Sequence, residues 1–478
     1  MVNEFMTSFY DIVAIAPVAI TSLAAFVVIT IEALREKSEG LISWISLAGL
    51  LLAGLTALAA IPDRGTAFSG MVTTGGFSAF FGALFSIAGL LSLMLARDYI
   101  SKEEIRHGEY FAMVLFAIVG MMLMAAAADL VILFLGLELM SVSFYVLAGF
   151  ARHRATSNEA ALKYFLLGAF ATGFLLYGIA LVYGSTGSTN LAVIGERSGT
   201  VPGSTTLMIG FGLLLIGLAF KVAAVPFHMW VPDVYEGAPT TVTAFMSTGG
   251  KAAAFASMML VFTPVLISTL LPVREVLAVV AALSMIVGNL IAISQVSIKR
   301  MLAYSSIAHA GYILTGVVAA NAAGSNGVVF YLAAYTVMNI GAFGVLSVLE
   351  SPDGQNLTFD DYAGLPARRP VLAGLMALFM FSLTGIPPFA GFFGKYYVFA
   401  GAVEAGYTWL AILGVLMSVI SAYYYLRLVV LMYFKDQASA MEASPSKLGM
   451  AALVICALAV LEFGIFPSTI LNLTAFLF

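Results

Sequence analysis

Long apolar segments separated by short polar breaks follow one another along almost the whole 478-residue chain. Most of them reach or exceed about 18 residues, the length at which an apolar stretch can cross a bilayer as a helix. The pattern predicts an all-α integral membrane protein with about fourteen transmembrane helices. The predicted spans lie near residues 8–30, 41–61, 73–95, 109–127, 129–150, 159–184, 205–235, 240–262, 275–295, 299–319, 325–349, 371–402, 406–434 and 449–472.

Composition narrows the class of protein further. Hydrophobic residues make up 62% of the chain and charged residues only 10%, whereas soluble domains carry about 25% charged residues. The single cysteine, Cys456, excludes a disulfide framework and a cysteine-rich metal or iron–sulfur site. The segment 1–10 contains Glu4 and no Lys or Arg, so it lacks the basic region of a cleavable signal peptide. We therefore interpret the first apolar segment as a retained helix.

The positions of the basic residues test the predicted number of spans, because cytoplasmic loops are enriched in Lys and Arg. If both termini face outward, 14 of the 21 basic residues lie in or beside inward loops and 3 lie in outward loops. The inward set is Arg35, Lys37, Arg97, Lys102, Arg106, Arg152, Arg154, Lys299, Arg300, Arg368, Arg369, Arg427, Lys435 and Lys447. The outward set is Arg64, Arg197 and Arg274. This asymmetry predicts a multi-pass protein with both termini outward and favours a bacterial cytoplasmic (inner) membrane.

The remaining four basic residues are lysines inside predicted spans, namely Lys163, Lys221, Lys251 and Lys395. A charge near the bilayer centre costs about 3 to 10 kcal/mol or more, so such residues usually face the protein interior and have a function. Glu138 is a further charge of this kind. It lies nine residues after Asp129 and fourteen before Arg152, near the middle of its span.

Prolines interrupt two of the predicted spans close to these lysines. Lys221 precedes Pro226, and Lys395 follows the pair Pro387 and Pro388. Proline removes a backbone donor and clashes with the preceding turn, so each of these helices must bend or break. Broken helices at membrane depth occur where they line a cavity and are typical of transporter ion sites.

These buried groups suggest a proton relay, because a buried lysine whose proton affinity responds to a nearby charge is a switchable proton carrier. The hypothesis pairs Glu138 with Lys221, places Lys251 and His309 in the middle and puts Lys395 towards the exit. Water and hydroxyl groups are the expected bridges, the latter from Ser247, Thr248, Tyr304, Ser305 and Ser306.

Several residues leave alternatives open. Lys163 lies about one turn inside its predicted span, so a relay role and a structural, salt-bridged role both fit its position. The two intramembrane histidines, His228 and His309, raise the alternative of a haem pair. We assign His309 to the relay because hydroxyl and small residues surround it, and we assign His228 a structural role. The acids given structural roles are Asp129, Asp233 and Glu462.

Two sets of five predicted spans follow one another at a constant interval in the sequence. Spans four to eight begin near residue 109 and spans nine to thirteen near residue 275, and the breaks at Pro226 and Pro387 are separated by a similar interval. Because five helices is an odd number, the second copy must run opposite to the first, which is an inverted-topology repeat. The predicted organisation is a three-helix segment (1–108), two inverted five-helix repeats (109–262 and 275–434), each with one broken helix, and a final span (449–478).

Three segments of the chain resemble a known family. They read KVAAVPFHMWVPDVYEGAPT (221–240), KRMLAYSSIAHAGY (299–312) and LTGIPPFAGFFGK (383–395). Together they resemble the antiporter-like membrane subunits of proton-pumping NADH:quinone oxidoreductase (respiratory complex I) and their Mrp-type relatives. The similarity extends over nearly the whole chain and is greatest to the N branch. Lys395 fits that branch better than the M branch, where glutamate is typical, and an end at Phe478 leaves no room for the lateral helix of the L branch.

The resemblance implies a non-redox membrane-arm subunit of a proton-translocating NADH:quinone oxidoreductase, driven by quinone reduction elsewhere in the complex. The positions that it implies are Glu138, Lys221, Lys251 and Lys395, with Lys163 and His309 supporting. It implies no cofactor or metal in this chain, with FMN and iron–sulfur clusters in other subunits. The expected partners are the other membrane-arm subunits, the lipid bilayer and protons, and no nucleic acid.

Three other functions remain open at this point. An Mrp-type sodium/proton antiporter predicts sodium-dependent transport without a redox partner. A structural spacer of the membrane arm would tolerate neutralisation of Glu138 or Lys395. A quinone-binding module would need a polar pocket, of which the apolar helices give no sign.

Overall fold

The computed structural model of the chain describes residues 10–35, 38–102, 108–199, 204–267, 273–351, 357–436 and 445–478. Two predicted inward-loop residues, Lys37 and Arg106, lie outside the described residues, as does the side chain of Lys102.

The described chain is helical apart from one hairpin and short connections. Its helices are α1 (Ala16–Leu34), α2 (Glu39–Ala60), α3 (Gly76–Lys102), α4 (Glu109–Ala126), α5 (Leu130–Ala148), α6 (Ala155–Thr186), α7 (Leu191–Ser198), α8 (Thr205–Val222), α9 (Trp230–Gly237), α10 (Thr240–Phe245), α11 (Lys251–Ile267), α12 (Val273–Ile293), α13 (Ile298–Ala319), α14 (Ala322–Leu349), α15 (Pro370–Thr384), α16 (Ala390–Glu404), α17 (Thr408–Phe434), α18 (Lys447–Ile465) and α19 (Ser468–Thr474). A π-helical turn, Met246–Gly250, joins α10 to α11. Two 3₁₀ turns, Asp360–Tyr362 and Leu365–Ala367, precede α15.

The membrane spans agree with the predicted ones. Among the described residues, 13 helices are long and apolar enough to cross a membrane, and each overlaps one predicted span. The predicted twelfth span consists of α15 and α16, with 15 residues each. The chain also bends by 119° between the 3₁₀ turns and α15. The prediction of an all-α multi-pass membrane protein is therefore confirmed.

The sequence analysis missed a short hairpin between the second and third spans. Strands β1 (Arg64–Ala67) and β2 (Val72–Gly75) pair antiparallel, with Arg64 opposite Gly75. Gly75 has a φ of +73°, and a Cβ there would lie 1.9 Å from the carbonyl oxygen of Asp63. Only glycine fits this position, because a side chain would meet both the backbone conformation and the neighbouring carbonyl.

Contacts sort the connections between helices onto two opposite faces. On one face, which we call the hairpin face, Arg64 donates to the Phe478 carbonyl at 2.8 Å and Asp129 pairs with Asn190. On the other, which we call the basic face, Arg154 contacts the Glu350 carboxylate at 3.2 Å. Which of the two faces lies outward stays a prediction.

Two helices form the centre of the bundle. Every residue in the 18-residue apolar stretch of α14 is buried, and so are 94% of the residues in the corresponding stretch of α13. In α1, α2, α6, α17 and α18, less than two-fifths of the residues in this stretch are buried. Large apolar side chains on these outer helices, such as Phe170 and Val419, are accordingly exposed, as expected where a surface meets lipid or a neighbouring membrane helix.

Both proline-containing spans are interrupted, as predicted. Helix α8 ends at Ala223, whose φ is +65° and whose N–H donates to the carbonyls of Ala219 and Phe220. Helix α15 ends in the same way at Gly385, with a φ of +91°. A left-handed residue after the last turn terminates a helix by folding the chain back onto its own carbonyls. The inverted repeat and its segment boundaries stay predictions.

Candidate functional site: a row of buried lysine, histidine and hydroxyl groups

Lys221 lies in the last turn of α8, immediately before the first break. Its side chain is buried, and its Nζ donates to the Ser141 hydroxyl at 2.7 Å and to the Tyr145 hydroxyl at 3.5 Å. The rings of Tyr145, Tyr164 and Phe220 lie 5.5, 5.8 and 5.7 Å from the ammonium nitrogen. The aromatic faces supply negative electrostatic potential to a cation, so this pocket holds an ammonium group without a carboxylate in contact.

Glu138 lies on the same face of α5 as the partners of Lys221. The spacing Glu138, Ser141, Tyr145 is three and then four residues, which places these side chains along one side of a helix. Glu138 accepts a hydrogen bond from Thr172 at 2.9 Å. Among the described residues, Glu138 and Lys221 form no direct ion pair. Ser141 is the side chain in contact with the ammonium, and the pairing of Glu138 with Lys221 in a relay stays a prediction.

Lys251 follows directly on the π-helical turn. It is buried, and its Nζ donates to the carbonyl of Ser306 on α13. A π-helical turn adds a residue to the helix and so rotates the side chains that follow it, and such turns are frequent at functional sites. The sequence analysis did not predict this turn.

His309 lies between two tyrosine hydroxyls, one from α14 and one from α17. Its Nδ1 is 2.7 Å from the Tyr331 hydroxyl and its Nε2 is 3.1 Å from the Tyr425 hydroxyl. The Tyr425 hydroxyl also bonds the Ser305 hydroxyl. Both nitrogens of the imidazole therefore take part in one hydroxyl network, and an imidazole placed in this way can accept a proton at one nitrogen and release one from the other.

Lys395 lies on α16, just past the second break. Its Nζ donates to the carbonyls of Leu383 and Thr384 at 3.1 and 2.8 Å and to the Ser418 hydroxyl at 2.7 Å. The two carbonyls belong to the last turn of α15, where backbone acceptors have no helical partner. The negative end of a helix favours a nearby cation, so the break itself supplies the binding site for the lysine.

A cavity opens beside Lys395 on the outer surface. It has a volume of about 760 Å³ and lies between α16 and α17, lined by Phe399, Val415 and other apolar side chains. Two polar side chains in its wall, Lys395 and Ser418, are hydrogen-bonded to each other.

We call Lys221, Lys251, His309 and Lys395, with Glu138 and the hydroxyl groups that contact them, the row. Lys163 differs from these lysines in being partly exposed, and it lies near the basic face. Its side chain is 40% exposed and forms ion pairs at 2.7 Å with both Glu159 and Asp233. Asp233 in turn contacts Arg300 at 3.0 Å. The interpretation of Lys163 as a salt-bridged residue, which its sequence position left open, is the one with direct contacts in the structure.

Two further residues differ from their sequence interpretation. Lys299, counted among loop residues, is buried in the first turn of α13 and donates to the Ala238 carbonyl at 2.6 Å. The reason is that the connection after α9 folds over it, which no local pattern reveals. His228 was expected to be a satisfied structural residue, but its buried Nδ1 has no hydrogen-bond partner among the described residues.

A group of buried tyrosines and one asparagine on α12, α13 and α17 was missed. Asn289 donates to the Tyr312 hydroxyl at 2.9 Å and accepts from the Tyr424 hydroxyl at 2.9 Å. Tyr424 and Tyr425 belong to a run of tyrosines on α17, and a run of hydroxyl-bearing rings inside a membrane span was the available signal. Polar groups there must find partners inside the protein.

Comparisons with known proteins identify the family to which the chain belongs. The family profile described as NADH:quinone oxidoreductase/Mrp antiporter, TM, matches residues 127–421, which contain Glu138, Lys221, Lys251, His309 and Lys395. A curated relative from Trichlorobacter lovleyi, named NADH-quinone oxidoreductase subunit N, is 51% identical over 443 residues, which cover 91% of this chain and 90% of that protein. This chain belongs to the subunit N family of NADH-quinone oxidoreductases.

Other members of the family and solved structures extend the match. A subunit N from Chloroherpeton thalassium is 47% identical over 97% of this chain and 98% of its own length. A chain of the respiratory complex I of Thermus thermophilus with bound aureothin superposes with a TM-score of 0.84 at 37% identity, covering 96% of this chain and 99% of that one. A chain of the Mrp complex from Dietzia sp. DQ12-45-1b has a TM-score of 0.85 at 21% identity and covers 97% and 96%, so it shows a shared fold. The resemblance stated from three sequence motifs is confirmed.

Proposed function

We propose that this chain translocates protons as a membrane-arm subunit of a bacterial NADH:quinone oxidoreductase. Quinone reduction in other subunits supplies the driving force, and those subunits hold the FMN and iron–sulfur clusters. The protons pass along Glu138, Lys221, Lys251, His309 and Lys395. The surrounding partners are the other membrane-arm subunits and the bilayer, with both termini of the chain outward from the cytoplasmic membrane.

One observation carries this proposal. Three buried lysines, Lys221, Lys251 and Lys395, contact hydroxyl groups and backbone carbonyls but no carboxylate among the described residues. Ammonium groups in the membrane interior are costly and usually mark an ion or proton path. A structural lysine would be expected to have a salt-bridge partner, as Lys163 does.

Unsatisfied polar atoms along the row support the same path. The Ser306 and Tyr335 hydroxyls and the Asn339 amide oxygen are buried without a hydrogen-bond partner among the described residues. These residues lie on α13 and α14, the helices at the centre of the bundle. Buried polar groups normally have partners, and bridging water molecules are the partners that a proton relay would require.

The proposal is tested by replacing single lysines in the assembled complex. We expect Lys221→Ala or Lys395→Met to lower the number of protons moved per NADH oxidised in vesicles, because each change removes a proton carrier from the row. Lys435→Met is the matched control, since Lys435 is exposed beyond the end of α17. The measurement is the proton-to-electron ratio, with NADH oxidation as the check on assembly.

The outcome also separates the competing functions. An unchanged proton-to-electron ratio in a fully assembled Lys395→Met complex would favour a spacer and overturn the relay. Transport that requires sodium and proceeds without NADH would favour an Mrp-type antiporter.

A further inference from the structure

The segment VPDVYEGAPT (231–240) was singled out by the sequence, yet the proton row uses none of its side chains. It forms α9, the second half of the first broken span, and the connection to α10. Two carboxylates of α9 face basic residues of other helices. Asp233 pairs with Lys163 of α6 at 2.7 Å and with Arg300 of α13 at 3.0 Å, and Glu236 pairs with Arg300 at 2.6 Å. We call these four residues the latch.

The end of α9 is held in addition through its backbone connection. Lys299 donates to the Ala238 carbonyl at 2.6 Å, and Thr240 donates to the buried Glu350 carboxylate at 2.5 Å. These contacts fix the C-terminal end of α9. The latch, by contrast, is accessible, since its side chains are 31 to 40% exposed. Ion pairs at such a site are weak enough to exchange partners.

The start of α9 covers Lys221. Trp230 donates its indole N–H to the Phe220 carbonyl at 3.1 Å. Its ring stacks on Tyr164 at 4.4 Å with an interplanar angle of 7°, and on Phe220 at 5.2 Å. Tyr164 and Phe220 are two of the three rings around the Lys221 ammonium. Any displacement of α9 therefore moves Trp230, whose ring packs against Tyr164 and Phe220 in the wall of the Lys221 pocket.

Lys163 has a second partner ready when Asp233 leaves. Glu159, one turn earlier on α6, also lies 2.7 Å from its Nζ. Loss of the Asp233 contact would thus leave Lys163 paired on its own helix, and Arg300 paired with Glu236. Both cations thus keep a carboxylate partner when Asp233 leaves, and the partly exposed Asp233 carboxylate can be hydrated. A contact of this kind can occupy two states at similar free energy.

We propose that α9 is a gate between the basic face and Lys221, held closed by the latch. When the latch opens, α9 and Trp230 move away and Lys221 becomes accessible to water from the basic face. Asp233, Glu236, Arg300 and Lys163 are positioning residues in this scheme, and Lys163 is a member of the latch and not of the row. The significance for transport rests on the proposed function, but the gate itself is testable without it.

The test measures water access to the Lys221 pocket in the assembled complex. Ser141→Cys, in a Cys456→Ser background, places a single thiol of this chain beside the Lys221 ammonium, where Ser141 is fully buried. Membrane vesicles exposing the basic face are treated with a charged methanethiosulfonate reagent, and modification of this subunit is followed by mass spectrometry. We expect Asp233→Asn and Lys163→Gln to raise the labelling rate about 5-fold or more, the effect of losing ion pairs of about 1 kcal/mol.

Two variants control for charge and for fold. Glu159→Gln removes the other carboxylate that pairs with Lys163, and Glu159 lies on α6 and not on α9. Labelling should therefore stay at the parent rate. Asp233→Glu, which retains a carboxylate, should restore slow labelling. Unchanged labelling in both Asp233→Asn and Lys163→Gln complexes that still oxidise NADH would overturn the gate, and so would equally fast labelling in Glu159→Gln.

The proton relay and the α9 gate can be refuted independently of each other. If Lys221→Ala pumps normally, the relay is wrong, but the labelling result still decides whether α9 opens. If Lys163→Gln lowers pumping and leaves labelling unchanged, Lys163 belongs to the row and the latch assignment is wrong.

Discussion

At the scale of single residues, the row depends on hydroxyl groups that connect ionisable side chains. Tyr425 is the clearest example, because its hydroxyl contacts both Ser305 and the imidazole of His309. The neighbouring Tyr424 is equally buried, but its hydroxyl donates to Asn289 instead. Two adjacent tyrosines on α17 thus have the same size and burial, but only Tyr425 contacts His309 among the described residues.

This pair gives a matched test at one residue. We expect Tyr425→Phe to lower the proton-to-electron ratio of the complex, because the ring stays in place and only the bridge between Ser305 and His309 is lost. Tyr424→Phe removes a hydroxyl of the same burial that does not contact His309, and should have the smaller effect. The ratio is measured in vesicles by NADH-driven acidification, and a larger loss with Tyr424→Phe would contradict the assigned path.

At the scale of elements, helix ends act as cation sites. Lys395 contacts the last carbonyls of α15, and Arg274 donates to the carbonyls of Val318 and Ala319 at the end of α13, at 2.8 and 2.6 Å. Each helix end leaves carbonyls without partners and carries a partial negative charge. The break in the twelfth span creates such an end inside the bundle, and its position therefore decides where Lys395 is held.

Gly464 of α18 tests how tightly this break is fixed. A Cβ at Gly464 would lie 1.9 Å from the Pro388 carbonyl oxygen and 2.8 Å from backbone atoms of Phe389. We expect Gly464→Ala to destabilise the subunit by about 1–3 kcal/mol, the usual cost of overpacking, and to lower its thermal unfolding temperature in detergent. Gly374→Ala on α15 meets nothing within 4 Å and should be neutral; an equal loss in both would refute the packing argument.

At the scale of the whole molecule, a buried ion pair joins distant parts of the chain. Arg154, at the end of the α5–α6 connection, contacts Glu350, at the end of α14, at 3.2 Å. Their side chains are 9% and 1% exposed. Glu350 also accepts from Thr240 of α10, so one carboxylate ties together the two predicted repeats and the connection beyond the gate.

Removal of this charge should therefore affect the assembly of the fold. We expect Glu350→Gln to destabilise the subunit by about 3–5 kcal/mol, because it weakens a buried ion pair by removing the charge of one partner. The measurement is thermal unfolding of the detergent-solubilised complex. Glu462→Gln serves as the comparison, since Glu462 accepts a hydrogen bond from Thr469 at an exposed site. A similar loss there would argue against the ion pair as the cause.

The sequence by itself determined the features that depend on local chemistry. Apolar length predicted the spans, the prolines at 226 and 387 predicted both breaks, and burial of charge singled out Lys221, Lys251 and Lys395. These succeed because bilayer thickness and proline geometry act on a few consecutive residues.

Only the tertiary structure decided which groups meet. It paired Lys163 with Asp233, buried Lys299 beneath the connection after α9, and placed the Ser141 hydroxyl beside the Lys221 ammonium. It also brought Tyr425 of α17 to His309 of α13. Such contacts join helices that are distant in sequence, and in a uniformly apolar chain many packings satisfy the same hydropathy pattern. The choice among them depends on side-chain shape and on the requirement that buried polar groups find partners.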